Sequence, residues 1–361
     1  MSANNILNAN DPASIAKAAQ ILSQGGLVAF PTETVYGLGA DALNPAATAR
    51  LFEVKKRPEI DPLIVHVAST DEALSLWKEP PQIAKELMKE FWPGPLTLVL
   101  PKTDRIPDIV TAGLPTVALR MPNHKIALAL INLLGRPIAA ASANVFGYTS
   151  STTAHAVSED FEATIDLVLD DGPSKIGIES TVLKIEKDQG ILLRPGGIEV
   201  EALEKFICVV TSSQAARQMG ESSGQMKSHY APWTNLSLMG SAFSDFVNEL
   251  VEIQKLFQQK KITWPRIGLL YFGRKDLFKA EEGTPLFESV EDLSPGRDLR
   301  EAAVNLFGTI RKLDKMNLDI LVAEAVLEQG LGIAIMDRLR KAAAGHVEIR
   351  EYLKNSILRV N

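Results

Sequence analysis

Residues 29–41, AFPTETVYGLGAD, join an apolar run to a bend crowded with hydroxyls, a carboxylate at Glu33 and two glycines. The run 26–30, GLVAF, has the length and β-leaning composition of a buried strand. Pro31 removes a backbone donor, so ladder pairing is predicted to stop there, leaving residues 32–41 free to bind. Gly37 and Gly39 permit positive φ or close approach of a ligand to the main chain, while Thr32, Thr34 and Tyr36 present hydroxyls from the same bend. An ordinary strand-to-helix turn fits the same letters, and other polar segments must decide between the two readings.

Three such segments lie further along the chain. In 55–66, KKRPEIDPLIVH, Lys55 and Arg57 lie two apart, so an extended backbone points both cations to one side, and Pro58 and Pro62 favour extension. A polyphosphate fits across them; a solvated basic turn is the bland alternative. In 139–151, AAASANVFGYTSS, small residues let the backbone come close to a ligand, and Ser142, Asn144 and Ser150 carry groups that bond phosphate, ribose or a base edge. In 177–195 a strand pattern comes after Glu179-Ser180-Thr181 and a second ends at Arg194.

The intervening sequence alternates. Strands are predicted at 27–30, 63–67, 96–100, 116–119, 137–141, 167–170, 180–185 and 191–193, and helices at 13–23, 46–54, 71–77, 81–91, 124–134 and 199–206. Asp11 and Pro12 mark the first helix start. The Pro-Gly-Pro of 91–97, FWPGPLT, reads as a structural corner with Trp92 buried. Residues 212–233 are poor in apolar side chains and rich in Ser, Gly and Gln, which reads as a linker. Beyond it, strands at 236–239, 266–272 and 319–325 and helices at 243–258, 297–313 and 333–344 give a small Rossmann-like α/β domain. Its Gly330-Leu331-Gly332 lacks a third glycine, which argues against a dinucleotide site.

At 361 residues the chain exceeds what one core usually serves, so two domains are expected. Net charge is −7 over residues 1–210 and +1 over 211–361, without the basic bias of a domain built mainly for nucleic acid. One cysteine, Cys208, excludes an intramolecular disulfide and a multi-cysteine zinc site, which suits the cytoplasm. The N-terminal residues show no export or organelle signal, and no apolar run approaches the roughly 20 residues a membrane helix needs.

Taken in order, PTETVYGLG at 31–39, K-x-R at Lys55 and Arg57, FWPGPLT at 91–97, ALR at 118–120, S-x-N at Ser142 and Asn144, ESTV at 179–182 and RPG at 194–196 resemble the YrdC-like threonylcarbamoyl-AMP synthases. SHYAP at 228–232 and GLGIAIMDRLRKAA at 330–343 match the long form of that family. A single K-x-R or S-x-N carries almost no weight; the ordered set across about 200 residues does.

The resemblance implies an α/β fold: a twisted mixed sheet with flanking helices and a concave cavity over 1–211, a linker or lid over the active site at 212–233, and the smaller Rossmann-like domain at 234–361. It implies that L-threonine, bicarbonate or carbon dioxide, and ATP yield threonylcarbamoyl-AMP and pyrophosphate, with Mg2+ accompanying ATP. Arg120 is expected on the threonine carboxylate, because a guanidinium grips both oxygens, with Thr34, His66, Ser180 and the main chain at Ala140 completing that pocket. Lys55 and Arg57 are expected on the triphosphate, and Asp61, Thr116, Ser142, Asn144, Ser150, Arg194 and Tyr230 around the nucleotide. Lys55, Arg57, Ser142 and Asn144 are the expected catalytic set. A separate threonylcarbamoyl transferase acting on tRNA is the expected functional partner, and direct tRNA binding is secondary.

Each residue also has a plainer reading: Arg120 as a structural ion-pair partner, His66 as a satisfied strand-end histidine, Ser180 as a capping hydroxyl. Two other classes compete. An RNA-binding module without turnover predicts strong salt dependence and no need for ATP. A carbamoyl-transfer domain of the hydrogenase-maturation kind is expected beside zinc-finger segments, which one cysteine cannot build.

Overall fold

The computed structural model describes residues 5–162, 164–210, 229–240, 242–273 and 285–358. The chain divides into two compact units, one of Met1–Phe146 and Ser150–Met226, the other of Gly147–Thr149 and Lys227–Asn361. Of the predicted linker 212–233, residues 212–228 lie outside the described residues, and 229–233 belong to the second unit.

The first unit is built on an eleven-stranded mixed sheet of β1 (Ile6–Asn8), β2 (Val28–Phe30), β3 (Gly37–Asp41), β4 (Ile64–His66), β5 (Leu96–Pro101), β6 (Thr116–Arg120), β7 (Ile138–Ser142), β8 (Leu167–Asp170), β9 (Thr181–Glu186), β10 (Gln189–Arg194) and β11 (Cys208–Val210). Their order is β1-β8-β2-β3-β7-β4-β6-β5-β9-β10-β11. Period-two alternation splits the strand residues between two faces. Leu27, Ala29, Leu38, Val65, Leu98, Val117, Leu119, Ala139 and Leu183 enter one core with Leu51 and Phe52 of helix α2 (Pro45–Lys55), together with residues of α3 (Thr70–Leu76), α4 (Gln82–Phe91) and α6 (Ala154–Phe161). Val28, Phe30, Ile138, Ala140 and Leu167 take the other face, under Ala18 and Leu22 of α1 (Pro12–Ser23) and Ile126 and Leu130 of α5 (Lys125–Leu134). A separate cluster holds Ile64, Val99, Ala118, Val182 and Leu193. By alternation it shares its face with His66 and Arg120.

Local signals place the helices. Asp11 accepts from the Ala13 amide ahead of Pro12, as expected, and the Asn44 side chain does the same for the amides of Ala46 and Ala47 at α2. Helix α7 is only Val200–Leu203, shorter than predicted. Helix α6 was not expected; Thr153 caps it from within a Ser/Thr run that reads as loop.

Two expectations about the polar segments are corrected. Residues 37–41 form β3, antiparallel to β2, so the bend after Pro31 closes a strand pair and does not lead into a helix. Neither glycine has positive φ. A Cβ on Gly39 would lie 2.5 Å from Ile138 Cγ2 and 2.8 Å from Phe30 Cε1, and one on Gly37 would meet the Phe30 ring at 3.1 Å, so the glycines make room for a buried phenyl ring and not for a ligand. Lys55 is likewise not extended. It ends α2, and Lys56 turns the chain with φ 53°.

In the second unit β12 (Leu236–Leu238), β13 (Ile267–Tyr271), β14 (Ser289–Asp292) and β15 (Ile320–Ala323) form an all-parallel sheet, with helices α8 (Phe243–Gln259), α9 (Leu299–Asp314), α10 (Leu331–Ala343) and α11 (Ile349–Leu358). The expected small α/β domain is present. Its strand order, β12-β15-β13-β14, puts the last strand between the first two, unlike the 3-2-1-4 order of dinucleotide-binding folds. Gly332 is required by packing, because a Cβ there would sit 1.8 Å from the Leu327 carbonyl oxygen.

This unit also holds Gly147–Thr149. The Tyr148 ring stacks on Trp233 at 5.4 Å, and its hydroxyl donates to Asp314 Oδ2 at 2.8 Å. The Arg311 guanidinium lies 4.6 Å from the same ring and donates to the Thr149 carbonyl at 2.6 Å. The Ala231 amide donates to the Gly147 carbonyl.

Gly39→Ala is expected to cost about 1–3 kcal/mol, the range for overpacking a filled core. Chemical denaturation would show the loss as a lower midpoint; an unchanged midpoint would mean that Phe30 and Ile138 give way freely.

Candidate active site

The site of the first unit grows from the end of α2. Lys55 is buried, and its Nζ donates to the carbonyls of Ser142 and Asn144, both at 2.5 Å. Burial, and then the neighbouring Arg57 charge, push its pKa down to about 7. The Phe146 amide donates back to the Lys55 carbonyl, so the helix end and the S-x-N segment are laced from both sides. Asn144 is buried, its side-chain amide donating to the Val145 carbonyl, while Ser142 at the end of β7 is half-buried.

Arg57 comes just after the left-handed turn at Lys56. It pairs with Asp61 at 2.9 Å, both side chains buried, and donates to the carbonyls of Asp61 and Pro62. Burial raises the Asp61 pKa, while Arg57, Arg194 and Lys55 pull it the other way. Arg57 thus holds Asp61 directly, and two more of the predicted cations act on its charge. Arg194 donates to the Ser180 carbonyl at 3.0 Å and to its hydroxyl at 3.2 Å, and that hydroxyl shares a hydrogen bond with Thr97. Gly196 packs on the same backbone: a Cβ there would lie 2.3 Å from the Glu179 carbonyl oxygen and 2.5 Å from the Thr181 nitrogen. The glycine of RPG thus lets Arg194 reach Ser180.

Arg120 and His66 are register partners on β6 and β4. Arg120 is buried, pairs with Glu33 at 2.8 Å and donates from Nε to the Gly94 carbonyl. His66 is buried with Nδ1 3.2 Å from the Ile64 carbonyl, its ring edge-on to Phe30. Burial, then Arg120, push its pKa down to about 3, so the imidazole is neutral at physiological pH. Thr34 shares a hydrogen bond with Thr32, which donates to the Val35 carbonyl. Ala140, on β7, pairs with Ile64.

Three residues look different in the fold. The Tyr36 hydroxyl donates to the Gly172 carbonyl and is structural. Thr116 begins β6, opposite Pro101. Tyr230 belongs to the second unit, where its buried ring packs against Phe307 at 5.6 Å and under the Arg338 guanidinium at 5.3 Å. Sequence reasoning missed Glu33 as the partner of Arg120, and Glu179, which accepts from the Ser150 hydroxyl. Both carboxylates stand inside PTETVYGLG and ESTV, so the signal was the letter itself.

No group of three or more His, Cys, Asp or Glu side chains suited to a metal ion occurs among the described residues. Asp61 Oδ2, buried and without a hydrogen-bond donor among them, sits within the cation cluster. That donor set suits a magnesium ion carried in on phosphate and water oxygens, with one carboxylate at most from the protein. A cavity of about 250 Å³ bordered by Thr32, His124, Asp171 and Lys175 meets the residues singled out in the sequence only at Thr32.

Comparison with known proteins bears on both units. A Sua5/YciO/YrdC family model, described as telomere recombination, matches residues 20–196, and one described as threonylcarbamoyl-AMP synthase, C-terminal domain, matches residues 198–344. The threonylcarbamoyl-AMP synthase of Pyrococcus abyssi is 44% identical over 330 residues, covering 90% of this chain and 93% of its own. That of Bacillus subtilis is 42% identical over 347 residues, covering 94% and 96%. The crystal structure of P. abyssi Sua5 complexed with L-threonine is similar at a TM-score of 0.80 and 41% identity, over 91% of this chain and 94% of that one.

Because burial depresses the Lys55 ammonium, NMR of labelled lysine should show one side chain titrating near pH 7, absent in Lys55→Met, while ordinary lysines titrate near 10.5. A triphosphate should move that titration upward. A Lys55 signal titrating with the bulk would contradict the buried environment.

Proposed function

Because the chain belongs to the threonylcarbamoyl-AMP synthase family, we infer that it is an adenylyl-transferring enzyme that joins L-threonine, bicarbonate or carbon dioxide, and ATP into L-threonylcarbamoyladenylate, releasing pyrophosphate. The observation that carries the reading is the burial of Lys55 and Arg57 close in sequence, Arg57 on Asp61 and Lys55 on the Ser142 and Asn144 carbonyls, with buried Arg120 beside His66 across β6 and β4.

The reacting groups are anionic: a carbamate oxygen attacks the α-phosphorus and pyrophosphate leaves. The protein's work is charge neutralisation and alignment, with no need for a covalent nucleophile. Lys55 and Arg57 take the triphosphate, and the Arg120 guanidinium takes the threonine carboxylate. Thr34, Ser180 and neutral His66 line the amino-acid pocket beside Ala140, and Ser142, Asn144, Ser150 and Arg194 surround the nucleotide. Thr116 and Tyr230 are assigned to the nucleotide on the family resemblance. Bound with ATP, Mg2+ would neutralise phosphate charge, with Asp61 the protein carboxylate placed to hold it.

The product is an activated threonylcarbamoyl group, whose consumer is a separate transferase forming N6-threonylcarbamoyladenosine in tRNA. The free thiol of Cys208 suits a reducing cytoplasm as the place of that reaction. No helix among the described residues is long and apolar enough to cross a membrane.

The test is pyrophosphate release from ATP with threonine and bicarbonate omitted in turn. Release should require both, and Arg57→Ala should lower it by about 100-fold or more, the scale for removing a group that stabilises developing charge. A folded sample that binds RNA with strong salt dependence and releases no pyrophosphate would replace this reading with a binding module.

A further inference from the structure

One buried charge takes no part in the reaction of carbamate with ATP. Glu33 lies in the loop between β2 and β3, and that loop is fixed along its length: the Ile176 amide donates to the Glu33 carbonyl, the Gly177 amide to the Thr34 carbonyl, and the Tyr36 amide to the Ser151 carbonyl. Its side chain is 7% exposed and its carboxylate is 2.8 Å from Arg120 Nη2. The contact lacks hydrogen-bond geometry. Among the described residues, neither of the Glu33 oxygens nor Arg120 Nη2 has a hydrogen-bond partner.

The nearby groups are engaged elsewhere. Thr32 and Thr34 bond to each other, and Thr32 donates to the Val35 carbonyl. His66 faces the Ile64 carbonyl and is neutral. His124, at the start of α5, also feels the Glu33 charge, but burial holds it toward the neutral form. Arg120 balances the Glu33 charge, but neither carboxylate oxygen accepts a hydrogen bond, and such unmet capacity in a buried group is costly unless something binds it.

A guanidinium and a carboxylate side by side, each with vacant hydrogen-bonding capacity, complement an amino acid, whose carboxylate and ammonium are separated by one carbon. We propose that Glu33 binds the α-ammonium of the amino-acid substrate and acts as the general base that frees its amine. The inference rests on the synthase reading and assigns that site one more catalytic residue. One ammonium proton passes to the Glu33 carboxylate. The amine lone pair then attacks the carbon of carbon dioxide, forming the C–N bond while a C=O electron pair moves onto oxygen. The nitrogen loses its second proton to water, leaving the carbamate, and Glu33 returns its proton to solvent before the next turnover.

The test measures binding of L-threonine and of 3-hydroxybutanoate, which lacks the amine, to wild type, Glu33→Gln and Glu33→Asp, with a non-hydrolysable ATP analogue reporting an intact site. Wild type should prefer threonine about 10-fold or more, the scale of a charge-assisted hydrogen bond. Glu33→Gln should lose that preference while holding the ATP analogue within about 2-fold, and Glu33→Asp should recover part of it. Pyrophosphate release by Glu33→Gln should climb with pH as free threonine loses its own proton, which a purely structural role would not produce. A Glu33→Gln enzyme that keeps both the preference and the wild-type pH profile would overturn the proposal and leave the synthase reading standing. Loss of ATP-analogue binding in both variants would make Glu33 a structural counter-ion and also overturn it. Wild type without threonine-dependent release would instead remove the synthase reading beneath it.

Discussion

A buried ammonium held by two peptide carbonyls sets up the first unit's chemistry. Lys55 closes α2 and draws together the backbone of Ser142 and Asn144, so one side chain fixes where the helix stops and where the small-residue strand turns. Neutral carbonyl dipoles compensate the charge incompletely, and Arg57 nearby opposes it further; hence a lysine with a pKa of about 7. Such an arrangement is poor at stabilising the protein and well suited to an incoming anion, because the dipoles and cations are in place before the reaction begins. A polyanion would relieve the repulsion between Lys55 and Arg57, so binding and local stability draw on the same electrostatics.

Much of the sheet was legible because buried strands announce themselves through runs such as 96–100 and 116–119, and the helices through their caps. The parts that escaped did so for physical reasons. β3 is GLGAD, whose glycines suppress any β signal, and its strand character comes from pairing with β2 and β7. β14 is SVED, half-buried throughout, with no apolar alternation to read. Residues 55–57 read as extended from their prolines, yet the helix persists to Lys55 because the reversal is made by a left-handed Lys56, a conformation that no letter there advertises.

The candidate site was legible as a set of letters and not as a network. Arg57 meets Asp61, Lys55 and Arg194 act on that carboxylate's charge, and the partners of all three cations are largely backbone carbonyls, which carry no side-chain signal. Glycines taken for ligand approach are packing devices: Gly37 and Gly39 clear Phe30, and the motif's Gly196 likewise clears the backbone on which Arg194 rests. Motif glycines here preserve the geometry of neighbours and need not touch a substrate at all.

The short piece Gly147–Thr149 carries a consequence for how the chain is made. It lies between Asn144 and Ser150 in sequence, yet it belongs to the second unit, and the Tyr148 hydroxyl finds its acceptor on Asp314, 166 residues later. On a ribosome, where domains fold from the N-terminus as they emerge, the first unit is complete in letters long before that tether exists. A nascent or prematurely ended chain can hold every motif of the first unit and still lack the partners of Gly147–Thr149. Full-length synthesis is therefore a condition for the contacts of Gly147–Thr149.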